Sequence, residues 1–71
     1  MIVTRISPLT GEVHEMDLDI SPAQLELYDD FGVLLQDAFP NLSPAEREFI
    51  KTGITPEEWH EYFGMDVEEL F

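Results

Sequence analysis

Three acidic residues at every second position, Glu15, Asp17 and Asp19, form the pattern in this chain with the plainest chemical consequence. On an extended strand alternate side chains share one face, so these carboxylates would line an edge at roughly 6–7 Å intervals. Successive phosphates of a nucleic-acid strand are spaced on the same order, so a fixed row of this kind could occupy the lysine and arginine sites of a protein that grips DNA or RNA. Glu12 precedes the row. Asp29 and Asp30, then Glu57, Glu58 and Glu61, and finally Glu68 and Glu69 could extend it. The same carboxylates would serve equally as the solvated face that an antiparallel hairpin must turn to water.

Other chemistries find less support. The two histidines, His14 and His60, lack HExxH spacing, and the chain has no cysteine, so no metal centre or cofactor is expected. His14 on the apolar face of its strand reads as a rim or core histidine satisfied by a backbone group, and His60 as a solvated helix residue. Asp29, Asp30 and Asp37 lack the D-x-D-x-D-G order and distal glutamate of a calcium loop. With no glycine-rich phosphate loop and no nucleophile–base pair, no catalytic activity is expected.

The 71 residues carry 16 acidic and 3 basic side chains, Arg5, Arg47 and Lys51, for a formal net charge of −13, with 44% hydrophobic residues. That apolar content points to a folded domain rather than an acidic disordered tail. The field disfavours direct contact with nucleic acid or an anionic membrane and complements a basic partner, although strong acidity also serves plain solubility. The longest apolar runs are too short to span a bilayer, and MIVTRISPLTGE lacks the pattern of a secretion signal. A cytoplasmic location is therefore expected.

The elements that must position these side chains begin with IVTRI at 2–6, which places Ile2, Thr4 and Ile6 on one face. SPLTG makes the turn, and EVHEMDLDI returns with His14, Met16, Leu18 and Ile20 on one face and Val13, Glu15, Asp17 and Asp19 on the other. The pattern predicts a β-hairpin whose apolar face packs on helices.

Three helix starts share one phrase: SPAQ at 21–24, SPAE at 43–46 and TPEE at 55–58. In each, Ser or Thr caps, Pro occupies the first turn, and Gln24, Glu46 or Glu58 can reach back to close a capping box. Ile20 with Leu25, and Ile54 with Trp59, add the spacing of a hydrophobic staple. The first helix is expected to break at Gly32, followed by a short helix in VLLQDAF, although continuation to Phe39 would also keep a helical spacing. The third runs from Ser43 to about Thr52, with Phe49 and Ile50 inward and Glu46, Arg47, Glu48 and Lys51 mainly outside. The fourth, PEEWHEYF, is expected to bury Trp59, Tyr62 and Phe63 and to show Glu57, Glu58, His60 and Glu61 to water.

The expectation is thus one α+β domain over residues 1–71: a hairpin at 2–20 on three or four short helices at 21–64, then a tail or short extra helix at 65–71.

LLQDAFPNLSPAEREFIKTGITPEEW, residues 34–59, together with the turn Leu9-Thr10-Gly11, resembles a group of short acidic proteins of tailed bacteriophages and prophages. The resemblance implies a phage or prophage origin and a small globular fold, and it carries no established activity or catalytic residue. Asp29, Asp30 and the tail after Gly64 stand outside it.

In that setting a single-sign surface has a use, because hosts defend themselves with nucleic-acid-binding restriction and CRISPR effector complexes. The leading expectation is a monomeric nucleic-acid mimic that blocks a basic host protein in the host cytoplasm. The alternative is a non-enzymatic adaptor binding a host or phage protein through an apolar patch around Leu34, Phe39 and Leu42 or at Leu70 and Phe71.

Overall fold

A computed structural model describes residues 1–65. Two strands, β1 (Ile2–Ile6) and β2 (Val13–Asp17), are followed by four helices, α1 (Pro22–Asp29), α2 (Leu35–Ala38), α3 (Pro44–Thr52) and α4 (Pro56–Phe63). The fold is α+β, as the alternation and capping phrases predict.

The strands pair antiparallel with Val3 opposite Met16 and Arg5 opposite His14. Cross-strand partners share a face, so the inward positions of β2 carry Val3 and Arg5 inward with them. Ile2, Thr4 and Ile6 consequently lie on the outer face beside Asp17, Glu15 and Val13. The turn is closed by the Gly11 N–H donating to the Ser7 carbonyl and the Ser7 N–H donating to that of Glu12. β2 ends at Asp17, short of the alternation in the sequence. The Leu18 N–H still donates to the Met1 carbonyl, and a three-residue turn from Leu18 to Ile20 then leads into α1.

All three capping boxes form: Ser21 with Gln24, Ser43 with Glu46 and Thr55 with Glu58. Each satisfies two amides that the first turn would otherwise leave open. The first helix does break before Gly32; it ends at Asp29, with the Asp30 N–H donating to the Glu26 carbonyl. Asp29, at the negative end of that helix, lies 3.7 Å from the Arg5 guanidinium.

The core joins Val3, Leu18 and Ile20 from the hairpin side to Ala38, Phe39, Leu42, Phe49 and Ile50. Met16, Leu25, Tyr28, Val33 and Leu35 pack around it, with the Tyr28 and Phe39 rings 5.9 Å apart. Arg5, partly buried on β1, donates from Nε to the carbonyl of Ile50, near the end of α3. A guanidinium suits the negative end of a helix, so one side chain ties strand to helix.

Two expectations about exposure are corrected. Glu48 is buried rather than outside, because α3 packs on both β1 and α2 and so hides a wider arc than a two-layer helix would. Tyr62 and Phe63 are half exposed rather than buried: no α4 residue joins the main core, and the Trp59 ring packs on Phe63 at 4.8 Å within its own helix.

Gly53 ends α3 with φ 84°, a left-handed conformation that disfavours a side chain. A Cβ there would also stand 2.6 Å from the Ile6 carbonyl oxygen, so the backbone of the loop lies directly on β1. Gly32 shares the positive φ but has open space around it. Gly32→Ala is expected to cost about 1–2 kcal/mol, the left-handed penalty alone. Gly53→Ala should cost at least ~1 kcal/mol more, since strand and loop must also separate. Urea denaturation of both variants measures the gap, and equal losses would contradict the close approach.

Candidate functional site

The face of the hairpin that looks to solvent carries Glu15 and Asp17 on β2, opposite Thr4 and Ile2. Asp19 is exposed as well but lies in the turn after the strand, where its carbonyl accepts from the Asn41 side chain. The acidic row is therefore two strand residues and one turn residue, not three positions of one strand. Asp17 also accepts from the Met1 amino group at 3.1 Å. Three β-branched side chains, Ile2, Ile6 and Val13, stand on the same face with more than half of each exposed.

Of the other acids expected in a binding surface, Glu12, Asp29, Asp30, Glu57 and Glu61 are exposed. Glu68 and Glu69, like Leu70 and Phe71, lie outside the described residues. Of the apolar candidates, Phe39 and Leu42 are core residues, while Leu34 is 63% exposed.

Glu58 requires a correction: it is buried, with 7% of its surface exposed, and faces the hairpin. As the third residue of α4 it must reach back to Thr55, and that turn sits against the loop between β1 and β2. Its Oε1 accepts from the Thr55 N–H at 3.1 Å and its Oε2 from the Thr10 hydroxyl at 3.0 Å. Ser7, wholly buried in the same turn, accepts from the Leu9 N–H with its hydroxyl oxygen at 3.3 Å, and that hydroxyl favours the charged form of the nearby carboxylate. The His14 Nε2 approaches Oε1 at 3.3 Å and the Glu12 Oε2 at 3.8 Å. Burial pushes the Glu58 carboxyl up, but the Thr55 amide, the Ser7 and Thr10 hydroxyls and the His14 imidazole together more than offset it, leaving the pKa below its ordinary value.

His14 accordingly meets carboxylates with its Nε2, not the backbone group expected of it. Glu12, His14 and Glu58 each place a ligand-type atom within 4.8 Å of the others. Spacing along the chain gave no warning of this, because Glu58 arrives from the far end of the sequence. The usable signal was the capping phrase itself, which fixes Glu58 in a backward-reaching pose.

A second feature is a half-open groove of about 480 Å³ bordered by Tyr28, Leu34, Leu35, Arg47, Glu48 and Lys51. Two of the three basic side chains therefore stand together, on one flank of α3. The third, Arg5, is turned inward to Ile50 and Asp29. Among the described residues, the remainder of the surface has carboxylates as its only charged groups other than the Met1 amine and the histidines.

Among the described residues no helix is long and apolar enough to cross a membrane. No family model, curated protein or solved structure matches the chain.

A carboxylate whose folded pKa lies below its unfolded value stabilises the fold above the unfolded value and ceases to do so as pH falls through the folded one. Glu58→Gln keeps the shape of the cap and removes the charge. At neutral pH it is expected to cost roughly 1–3 kcal/mol, the worth of charge-assisted hydrogen bonds. The difference from the unmodified protein should shrink as pH drops below the ordinary carboxylate range. Denaturant midpoints of both proteins across that range check the sign; a difference that stays constant with pH would mean that the charge contributes nothing.

Proposed function

We propose that this chain is a non-enzymatic inhibitor of phage or prophage origin that occupies the basic groove of a nucleic-acid-handling host protein, of the restriction or CRISPR effector kind. The observation that carries the reading is the placement of the cations. With Arg5 turned inward and Arg47 and Lys51 beside one groove, the hairpin face and the exposed side of α4 present carboxylates without interspersed Lys or Arg, the Met1 amine and His60 being the basic groups among them. Solubility alone is served as well by mixed signs, which would also relieve the repulsion of a net −13 charge. Glu15, Asp17 and Asp19, with Glu12 at the turn and Glu57 and Glu61 on α4, are the contact residues of this reading. Binding of this kind is steered by charge and weakens as salt rises.

One observation favours a second reading, an adaptor that binds through apolar contact. Ile2, Ile6 and Val13 form an exposed strip on the hairpin face that also holds the acids. Such an interface would persist in salt.

Retention of host-lysate proteins on the immobilised chain, washed at rising salt and identified by mass spectrometry, separates the two. A DNA- or RNA-binding protein should elute with salt, and Glu15→Lys, Asp17→Lys and Asp19→Lys combined should weaken its binding roughly a hundredfold or more while circular dichroism stays unchanged. Salt-resistant capture that survives this triple reversal, but is lost with Ile2→Thr, Ile6→Thr and Val13→Thr, would transfer the function to the apolar strip.

A further inference from the structure

The hairpin turn, β2 and α4 bring one imidazole and two carboxylates to a point that helix capping does not account for. Capping requires Glu58 to meet Thr55; it does not require His14 or Glu12 to be there. The independent observation is the state of the His14 Nε2, which is buried and has no aligned hydrogen-bond partner among the described residues, although two carboxylate oxygens lie within 3.8 Å. A buried ring nitrogen that faces two carboxylate oxygens without an aligned hydrogen bond to either leaves its polar atom unsatisfied, and a cation held among the three atoms would satisfy all of them.

The distances suit a metal ion. Two ligand atoms each about 2.1 Å from a tetrahedral zinc stand about 3.4 Å apart, and Nε2 and the Glu58 Oε1 are 3.3 Å apart. The Glu12 Oε2 is 3.8 Å from Nε2 on an exposed side chain, free to close the remaining gap by rotation. Thr55 and Thr10 already hold the Glu58 carboxylate in place, as outer partners of metal-bound carboxylates do. An imidazole with two carboxylates selects borderline cations over calcium and magnesium, which prefer all-oxygen sets.

We propose that Glu12, His14 and Glu58 form a binding site for one borderline divalent cation, zinc foremost, with a fourth position open to water. The ion would clamp the hairpin turn and β2 to the first turn of α4, adding to the hydrogen bond that Thr10 makes to the Glu58 carboxylate. This inference stands apart from the inhibitor reading, and neither depends on the other.

Calorimetric titration of the full chain with zinc, in physiological salt and excess magnesium to saturate adventitious carboxylate binding, tests it. Cobalt, followed by its visible absorption, reports the coordination. The expected result is one equivalent of zinc, a raised melting temperature, a cobalt spectrum of low coordination number, and binding weakened at least ~tenfold by Glu12→Gln and by His14→Gln. Glu12 is exposed, so its variant keeps the fold even if that of His14 does not. Absence of saturable one-to-one binding over magnesium, or binding that survives either substitution unchanged, would overturn the site.

Discussion

The Glu58 carboxylate is the constraint on which the arrangement of this small protein depends. It caps α4 through Thr55, receives the hydroxyl of Thr10 from the hairpin turn, and meets His14 on β2. Burying a charge is expensive, and hydrogen bonds to both oxygens, from Thr55 and from Thr10, offset that cost. No α4 residue belongs to the main apolar core, and this polar junction ties the first turn of α4 to the hairpin. Gly53 supports it from the other side by letting the loop before α4 lie directly on the Ile6 carbonyl.

Two consequences follow for the surface. Because Glu58 holds the hairpin turn inward, the strands present their other face to solvent, and Glu15 and Asp17 are displayed on a paired, twisted ribbon rather than on a free loop. Because Arg5 is directed to the Ile50 carbonyl and Asp29, its guanidinium is withdrawn from the acidic face, where the Met1 amine beside Asp17 remains as a cation. The field of the hairpin is thereby dominated by one sign. Arg47 and Lys51 leave a local basic exception in the groove beside α1 and α2.

What was legible in the sequence was what local chemistry decides. Ser21, Ser43 and Thr55 announced their helices because a cap, a proline and a back-reaching third residue act within four positions. Gly32 marked the break after the first helix for a similarly local reason. Long-range choices were less accessible. The outward turn of Ile2 and Ile6 depends on the pairing of Arg5 with His14, and strand alternation alone leaves two faces to choose from. Burial of Glu48 depends on α3 having two neighbours, and exposure of Tyr62 and Phe63 among the described residues on α4 lying outside the main core. Glu58 is legible as a cap, yet its helical position also suits a solvent-facing acid; amphipathic periodicity sees one helix and not the turn that packs across its first residues.

The central functional claim is mutual exclusion: the acidic hairpin face and a nucleic acid should compete for one basic groove. The direct measurement is fluorescence anisotropy of a labelled duplex bound to the host protein that the chain captures, titrated with this protein. The account requires complete displacement, with an apparent affinity that falls as salt rises. A stable ternary complex, with the duplex still bound at saturation, would contradict it.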